Sequence, residues 1–295
     1  MTATIDQAAG EEIVDKAVAN KSEEIVIDAT ANTTTAADST VIAQVGIPTD
    51  TLGAIAEKTN ADVTVKTDVA DVKMDNAAAG AVAKQAAGDT VQLIVEKVAE
   101  TADKVEFQLK VVCSDGTVIG DFKGGNVSVT VAVPETMAEK KIVCVYIDDS
   151  GRMHRVKGQK NADGTYTFMT GHFSAYALMT KEEADAAIAA QKAEIRSIEI
   201  TLCSQQVKMK NGKKAIKLTW TTGSDVDFDG VEIYRSTKRD SGYGKKPFYT
   251  TTKDAYYNTA IKKGAKYYYK VRGFVTIDGE KIYTDYSTKA WRTVK

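Results

Sequence analysis

Two runs near the end of the chain decide the predicted fold: Ala215-Ile216-Lys217-Leu218-Thr219-Trp220 and Gly264-Ala265-Lys266-Tyr267-Tyr268-Tyr269-Lys270-Val271-Arg272-Gly273-Phe274. Both runs alternate between apolar and polar residues, as strands with one buried face do. In the first run, Leu218 and Trp220 share a face. In the second, Tyr267 and Tyr269 share a face while the cations point elsewhere. The alternation therefore predicts two half-buried strands.

Two further runs extend this pattern. Gly230–Lys238 alternates between the first two runs, and Thr276–Tyr283 follows them with Asp278-Gly279 at its middle. A two-residue hairpin turn needs positive φ angles, which Asp-Gly readily adopts. The sequence therefore predicts a hairpin at Asp278-Gly279, and several short strands at this spacing are typical of a β-sandwich.

The segment that spans about residues 194–295 resembles a fibronectin type III domain, and in particular modules found in surface proteins of Gram-positive anaerobes. The resemblance lies in Leu218-x-Trp220, Val231-x-Ile233-Tyr234-Arg235-Ser236, Gly264-x-x-Tyr267-x-Tyr269-x-Val271-Arg272 and Asp278-Gly279-x-Lys281-x-Tyr283. It implies an immunoglobulin-like sandwich in which the two runs quoted first are strands B and F. It also implies that Trp220 belongs to the core and that Tyr267 is a tyrosine corner bonded to the upstream backbone.

The rest of the chain is predicted to be mainly β with some helix. Residues 1–23 are predicted to be a helical remnant, with an amphipathic helix over 11–21. Residues 24–101 predict an α+β unit with two similar halves, each a strand, a capped short helix and a return strand. Thr49 or Asp50 is expected to cap the first of these helices and Asp75 the second.

Residues 102–180 predict a β-sandwich module, and residues 181–193 a helical linker with acidic residues in its first turn. The module resembles one repeated in bacterial surface proteins, many of which carry S-layer-type or adhesive modules. The resemblance lies in Val129-x-Val131-x-Val133-Pro134, Val145-x-Ile147-Asp148-Asp149-x-Gly151, Gly164-x-Tyr166-x-Phe168 and His172-Phe173-Ser174-x-Tyr176-Ala177. The unit containing Ala61–Thr67 usually accompanies it.

Charge is distributed unevenly along the 295 residues, whose formal net charge is −1. From residue 194 onward there are 21 Lys and Arg against 11 Asp and Glu, a balance of +10, which leaves 18 and 29, a balance of −11, for the first 193 residues. Ten of the 13 tyrosines also follow residue 230. These differences predict a boundary near residue 190.

The location of the protein is predicted from its apolar runs and its first residues. No run approaches the ~20 apolar residues of a membrane helix, and Met1–Asp6 lacks the basic and apolar regions of a secretion signal. The chain is thus either cytosolic or a piece of a longer protein. We favour the second interpretation, with the protein extracellular or at the cell surface.

Three cysteines, Cys113, Cys144 and Cys203, are too few for a disulfide framework and lack metal-binding spacing. The simpler interpretation is three buried or half-buried thiols. A Cys113–Cys144 bridge between neighbouring strands is the alternative.

His172-Phe173-Ser174 is the strongest candidate for a catalytic site. The same tripeptide occurs in self-cleaving domains of some nucleoporins and death-domain proteins, where the serine hydroxyl attacks the preceding carbonyl and histidine acts as the base. Catalysis also needs an oxyanion site and a strained peptide. The alternative interpretation makes Phe173 and Tyr176 core anchors, with His172 and Ser174 satisfying backbone groups, and the sequence predicts no catalytic residue.

Asp225-Val226-Asp227-Phe228-Asp229-Gly230 matches the first half of a calcium-binding loop. The twelfth position is Ser236, where such a loop needs a bidentate glutamate. We therefore interpret the stretch as the loop between strands B and C, and predict neither a metal ligand nor a cofactor-binding residue.

The basic, tyrosine-rich end of the chain could bind an anionic polymer. Lysines cluster in two places and aromatic residues in a third: Lys208, Lys210, Lys213, Lys214 and Lys217; Lys262, Lys263 and Lys266; Tyr243, Phe248, Tyr249, Tyr256 and Tyr257. The alternative is a soluble, lysine-rich face whose edge lysines prevent aggregation. Nothing here resembles a nucleic-acid module.

These features predict a non-catalytic structural and adhesive segment of a bacterial cell-surface or secreted protein, which spaces or presents other modules. The expected partners are cell-wall glycopolymer or an extracellular glycan or protein, without nucleic acid and without a transmembrane segment. The alternative is an accessory glycan- or wall-binding part of a secreted hydrolase.

Overall fold

A computed structural model of the chain describes residues 3–36, 40–223 and 226–295. Within it the chain forms two compact units, Met1–Asp185 and Ala186–Lys295. The boundary lies inside a helix, Lys181–Ser197, which covers the predicted linker. The fold is mainly β, as the alternating runs predict.

The N-terminal unit is built from short strands and helices in mixed order. Its strands are β1 (Ala3–Thr4), β2 (Glu24–Asp28), β3 (Thr33–Thr35), β4 (Val41–Pro48), β5 (Asp62–Lys66), β6 (Asp71–Met74), β7 (Thr90–Glu100), β8 (Lys104–Cys113), β9 (Val118–Ile119), β10 (Val127–Ala132), β11 (Ile142–Ile147), β12 (Met153–Val156), β13 (Gly158–Lys160), β14 (Thr165–Thr170) and β15 (Ala175–Thr180). Its helices are α1 (Gln7–Asn20), α2 (Thr49–Lys58) and α3 (Asn76–Gln85), with a 3₁₀ turn at Glu135–Met137; the helix at the boundary is α4.

Two sheets make up this unit. The first, sheet I, has the order β1-β4-β7-β8-β15-β11-β12, with β3 beside β4 and β9 beside β8. The second, sheet II, has the order β13-β14-β10-β6-β5-β2. Side chains from both sheets share one core, in which Phe107 of sheet I lies 5.8 Å from Phe168 of sheet II between ring centroids.

The structure differs from the predicted division between residues 24–101 and 102–180. Strand β7 pairs with β8 over nearly its whole length, and β6 pairs with β10. Both segments therefore contribute strands to both sheets and side chains to a single core. The reason is that neither segment completes a sheet alone. Without the other segment, β6 and β7 would be edge strands with unpaired backbone groups.

Residues 3–23 also belong to this unit and are not a separate remnant. Strand β1 pairs in parallel with β4, and Val14 and Ala17 of α1 are buried in the shared core. Helix α1 begins earlier than predicted because Asp6 acts as its N-cap, accepting a hydrogen bond from Ala9 N at 2.8 Å.

The helix caps match the sequence expectation at α3 but not at α2. Asp75 Oδ1 accepts from Ala78 N at 2.7 Å, as a capping carboxylate should. At α2 the N-cap is Pro48, which makes no side-chain cap. Thr49 instead donates its N–H to the Asp89 carbonyl and its hydroxyl to the Gly88 carbonyl, both at 2.9 Å. The predicted Thr49 or Asp50 cap was therefore wrong, because Thr49 is hydrogen-bonded to the backbone of Gly88 and Asp89, far away in the chain.

The C-terminal unit is a fibronectin-type-III-like sandwich of the immunoglobulin kind. Its strands are β16 (Ile200–Lys208), β17 (Lys214–Thr222), β18 (Gly230–Ser236), β19 (Tyr249–Thr251), β20 (Ala255–Asn258), β21 (Lys266–Ile277), β22 (Glu280–Tyr283) and β23 (Ala290–Thr293). Sheet III has the order β16-β17-β20, and sheet IV the order β19-β18-β21-β22, with β23 also beside β21. This is the A-B-E and C′-C-F-G arrangement, with β17 as strand B and β21 as strand F, as predicted.

The residues that define this sandwich behave largely as expected. Tyr267 is buried and its hydroxyl accepts from Lys262 N at 3.1 Å, which confirms the tyrosine corner. Asp278 and Gly279 have φ angles of 52° and 73°, which confirms the primed hairpin between β21 and β22. Trp220 packs against the core but is only half-buried, because it lies towards the end of β17 beside a surface cleft.

Candidate functional sites

The His172-Phe173-Ser174 turn joins β14 to β15 and is held by hydrogen bonds. Ser174 Oγ donates to the Ile147 carbonyl of β11 at 2.8 Å. The His172 carbonyl accepts from Tyr176 Oη at 2.6 Å, and Phe173 N donates to the Gly120 carbonyl at 2.9 Å. The serine hydroxyl is thus committed to a neighbouring strand, which agrees with the structural interpretation of the tripeptide.

Phe173 and Tyr176 anchor this turn in the core. The Phe173 ring meets Phe122 edge-on at 4.8 Å, and Tyr176 lies 5.0 Å from Phe168. Tyr176 is fully buried, and burial raises the pKa of its phenol. The neutral phenol can therefore keep donating its hydrogen bond to the turn across the whole physiological range.

The fold brings both histidines of the chain to one tyrosine, which the sequence did not predict. Tyr146 stacks on His154 at 4.6 Å and meets His172 edge-on at 5.0 Å. His154 Nε2 lies 3.2 Å from Asp148 Oδ2. Burial and the nearby Asp148 carboxylate raise the pKa of Tyr146. The rings of Tyr146 and His172 border an open cleft of about 750 Å³ that Arg155, Lys157 and Met169 also line.

The half-match to a calcium loop is not supported by its described residues. Asp229 Oδ2 accepts from Thr276 N at 2.6 Å, so this carboxylate stabilises the backbone of sheet IV. Asp225, the first position of the match, lies outside the described residues. Across 3–36, 40–223 and 226–295, no three His, Cys, Asp or Glu side chains are grouped so that they could hold a metal ion.

The three cysteines are free, and the alternative Cys113–Cys144 bridge is wrong. Strand β15 lies between β8, which carries Cys113, and β11, which carries Cys144. Two strand spacings are about 9.6 Å, whereas a disulfide needs Cα atoms within about 7 Å. Cys113 and Cys144 are buried as expected, and burial raises the pKa of the Cys144 thiol. Cys203 is exposed instead, because it lies on the outward face of sheet III opposite Thr219.

The predicted basic and aromatic residues do not form one surface. One group lies on the outward face of sheet III, where Gln205, Lys217 and Tyr257 are directly opposite one another on three neighbouring strands. They line an open groove of about 560 Å³, which we call the lysine–tyrosine groove. Its lining consists of Gln205, Val207, Lys208, Met209, Lys210, Asn211, Lys217 and Tyr257.

The remaining predicted aromatic residues and Lys266 lie elsewhere in the C-terminal unit. Tyr249 stacks on Tyr256 at 4.5 Å, and the Arg235 guanidinium lies 3.9 Å from the Phe248 ring centroid. Lys266 Nζ lies 4.0 Å from the ring centroid of Trp291, which is 50% exposed. Tyr243 lies beside Lys270, whose Nζ is 5.1 Å from the Tyr243 ring centroid. Among the predicted residues, only Lys208, Lys210, Lys217 and Tyr257 therefore meet in one groove.

A buried ionic network on sheet IV was also missed by the sequence analysis. Glu232 is only 6% exposed, and its carboxylate accepts from Arg272 at 2.9 and 3.0 Å, from Tyr234 Oη at 2.9 Å and from Tyr283 Oη at 3.1 Å. Burial alone would raise the pKa of Glu232, but the hydrogen bonds from Tyr234, Arg272 and Tyr283 outweigh it and lower the pKa. The only available signal was polar residues alternating with the core residues of β18 and β21.

Similarity to known proteins was found among solved structures. No protein-family model matches the sequence, and no curated protein does. Among solved structures, an Fn3-like protein from Clostridium thermocellum is 26% identical, with a TM-score of 0.24, over 32% of this chain and 90% of its own. A fibronectin type III domain from a human protein is 17% identical, with a TM-score of 0.28, over 37% of this chain and 81% of its own.

A membrane-spanning helix is absent from the described structure. Within the stretches it covers, no helix combines the length and the apolar character needed to cross a bilayer.

Proposed function

We propose that this chain is a non-catalytic structural and adhesive segment of a bacterial cell-surface or secreted protein, which spaces or presents other modules. The observation that carries the proposal is the lysine–tyrosine groove. It brings together an exposed aromatic ring, three lysines and two side-chain amides, a combination suited to holding an extended polar ligand. By contrast, the best nucleophile candidate, Ser174, has its hydroxyl bonded to a backbone carbonyl.

The N-terminal unit supports the spacing role. Its two sheets share a continuous core, and side-chain hydrogen bonds from Ser174 to Ile147 and from Asn126 to Asp75 link distant parts of the chain. A unit of this kind resists local unfolding because the strands from distant parts of the chain must separate together. We infer that it holds its shape while the C-terminal unit contacts a surface.

Retention on cell-wall material tests the proposal. The purified chain is mixed with insoluble walls from a Gram-positive bacterium and, as a control, with cellulose, an uncharged glycan. We expect retention on the walls, weakened by salt, with no sugar or peptide released into solution. Absence of retention would overturn the adhesive part, and protein-dependent release of wall fragments would identify an enzyme.

The second candidate is an accessory glycan- or wall-binding part of a secreted hydrolase, and the same groove favours it. The neighbouring coding sequence discriminates between the two. S-layer or wall-anchor modules in the same reading frame support the structural role, and a hydrolase domain supports the accessory role.

A further inference from the structure

The central feature of the lysine–tyrosine groove is a straight row of three side chains. Gln205 of β16, Lys217 of β17 and Tyr257 of β20 are register partners, so they project from the same face of sheet III. Neighbouring strands lie about 4.8 Å apart, which makes the row about 10 Å long. Tyr257 is 43% exposed, and Lys217 Nζ lies 5.8 Å from its ring centroid.

The charge of the groove has one sign. Lys208, Lys210 and Lys217 line it, and no residue lining it within the described structure is acidic. Lys213 and Lys214 follow in the adjoining hairpin. A concave surface lined by one sign of charge raises the local concentration of oppositely charged ligands. The ligand should therefore be anionic.

The shape of the groove and its aromatic ring further restrict the class of ligand that it can bind. Its volume of about 560 Å³ lies within the range of ~300–1,000 Å³ that is typical of ligand sites. Gln205 and Asn211 add neutral groups that can donate and accept hydrogen bonds. One apolar ring face beside such groups matches a sugar ring, which has an apolar C–H face and hydroxyl groups around its rim.

The same geometry disfavours single-stranded nucleic acid. That ligand is held by several aromatic rings on which successive bases stack. Tyr256 and Tyr257 lie on opposite faces of β20, because side chains alternate along a strand. Tyr256 stacks with Tyr249 instead. The groove therefore presents one ring, enough for one sugar.

We propose that the lysine–tyrosine groove binds a polyanionic saccharide. Tyr257 stacks against a sugar ring, Gln205 and Asn211 bond its hydroxyls, and Lys208, Lys210 and Lys217 meet its carboxylate or phosphate groups. This inference rests on the proposed adhesive function and specifies the ligand of the same groove.

Binding of the full chain to defined saccharides tests the inference. The probes are tetragalacturonate (carboxylated), phosphomannan (phosphorylated), dextran (neutral), polyphosphate (charged without a ring) and single-stranded DNA. We expect measurable affinity for at least one of the two anionic saccharides, none for dextran and weaker binding of polyphosphate. Which saccharide binds more tightly identifies carboxylate or phosphate as the natural group.

Substitutions in the groove then identify the contacts. Tyr257→Ala should weaken saccharide binding about tenfold, a factor within the range found when one aromatic ring that stacks on a nucleic-acid base is removed, and Tyr257→Phe should retain binding. Tyr249→Ala is the matched control, because Tyr249 is 47% exposed in a different cluster. Lys217→Gln should reduce affinity and flatten its salt dependence, and Lys253→Gln should do neither.

The outcomes separate this inference from the proposed function. Equal affinity for polyphosphate and indifference to Tyr257→Ala would show non-specific ion exchange and overturn the inference. Tighter binding of single-stranded DNA would also overturn it. If the wild-type chain and the Tyr257→Ala variant are retained equally on cell walls, the adhesive function stands and this groove is not its site. If the wild type binds an anionic saccharide but not walls, the inference stands and the wall-adhesive function falls.

Discussion

Ser174 shows how the surroundings of a side chain determine what it can do. Its hydroxyl donates to the Ile147 carbonyl, and the turn that carries it is further held by Tyr176 and Phe173. Positive φ angles outside glycine occur, within the described residues, at Lys21, Ala31, Lys123 and Asp278, and so not at this turn. The left-handed strain that could assist an attack on the Phe173 carbonyl is therefore missing there.

We accordingly predict that the chain does not cleave itself between Phe173 and Ser174. Intact-mass spectrometry of the purified protein should give a single species at the full sequence mass. Ser174→Ala should change that mass only by one oxygen and reduce the free energy of unfolding by about 1–2 kcal/mol, because it leaves the Ile147 carbonyl without its donor. Two fragments meeting at this bond, absent in the alanine variant, would refute the prediction.

Glu232 provides a pH-dependent prediction. Its pKa in the folded protein is lowered from 4.5, with burial opposed by the hydrogen bonds from Tyr234, Arg272 and Tyr283. A group whose pKa is lower in the folded than in the unfolded protein stabilises the fold at pH values above its unfolded pKa. This stabilisation is lost as the pH falls through the folded pKa. Acidification below 4.5 should therefore weaken the C-terminal unit partly through this carboxylate.

The test is the variant Glu232→Gln, studied by urea unfolding at several pH values. Near neutral pH it should reduce the free energy of unfolding by about 2 kcal/mol, the scale of hydrogen bonds to a charged group. Below the folded pKa the difference from wild type should shrink. The exposed change Glu194→Gln is the control, and a pH-independent deficit in Glu232→Gln would contradict the assignment.

At the scale of elements, α3 depends on a cap that also joins distant parts of the chain. Asp75 Oδ1 accepts from Ala78 N at 2.7 Å, and Oδ2 accepts from Asn126 N at 2.9 Å and Asn126 Nδ2 at 3.2 Å. One carboxylate thus caps the helix and fixes the segment that enters β10. The second contact ties α3 to the sheet that β6 and β10 share.

Asp75→Ala should therefore reduce the free energy of unfolding by about 2 kcal/mol, at the upper end of the values for helix caps. Asp50→Ala is the matched control, because Asp50 lies in the first turn of α2 without being its cap. That change should alter stability by about 0.5 kcal/mol or less. Chemical denaturation of both variants measures the difference, and equal effects would show that Asp75 has no special role.

At the scale of the whole molecule, the two compact units differ in charge and in topology. Their boundary at Asp185 and Ala186 lies close to the charge boundary near residue 190. We predict that residues 186–295 fold without the rest of the chain, because their two sheets contain a core of their own. The fragment should show a cooperative thermal transition and the dispersed amide spectrum of a folded β-protein.

Fragments 24–101 and 102–180 provide the contrast in this experiment. Each lacks strands with which its own strands pair, so neither should fold alone. A folded 102–180 fragment would restore the division that the sequence predicted. An unfolded 186–295 fragment would instead contradict the independence of the C-terminal unit.

Features that depend on near neighbours in the chain could be predicted from the sequence. Alternation identified β17 and β21, Asp278-Gly279 identified a hairpin turn, and Asp75 identified a cap, because each pattern lies within one short stretch of the chain. The tyrosine corner is also local, since Tyr267 bonds a backbone group five residues upstream, but it was expected from the resemblance to a fibronectin type III domain.

Long-range packing sets which distant strands become neighbours. The pairings of β6 with β10 and of β7 with β8 merge two predicted units, and β15 separates Cys113 from Cys144. The same long-range packing exposes Cys203, leaves Trp220 half-buried and divides the basic and aromatic residues among separate surfaces. Strand order and register depend on the burial of whole sheet faces, which no local pattern along the chain specifies.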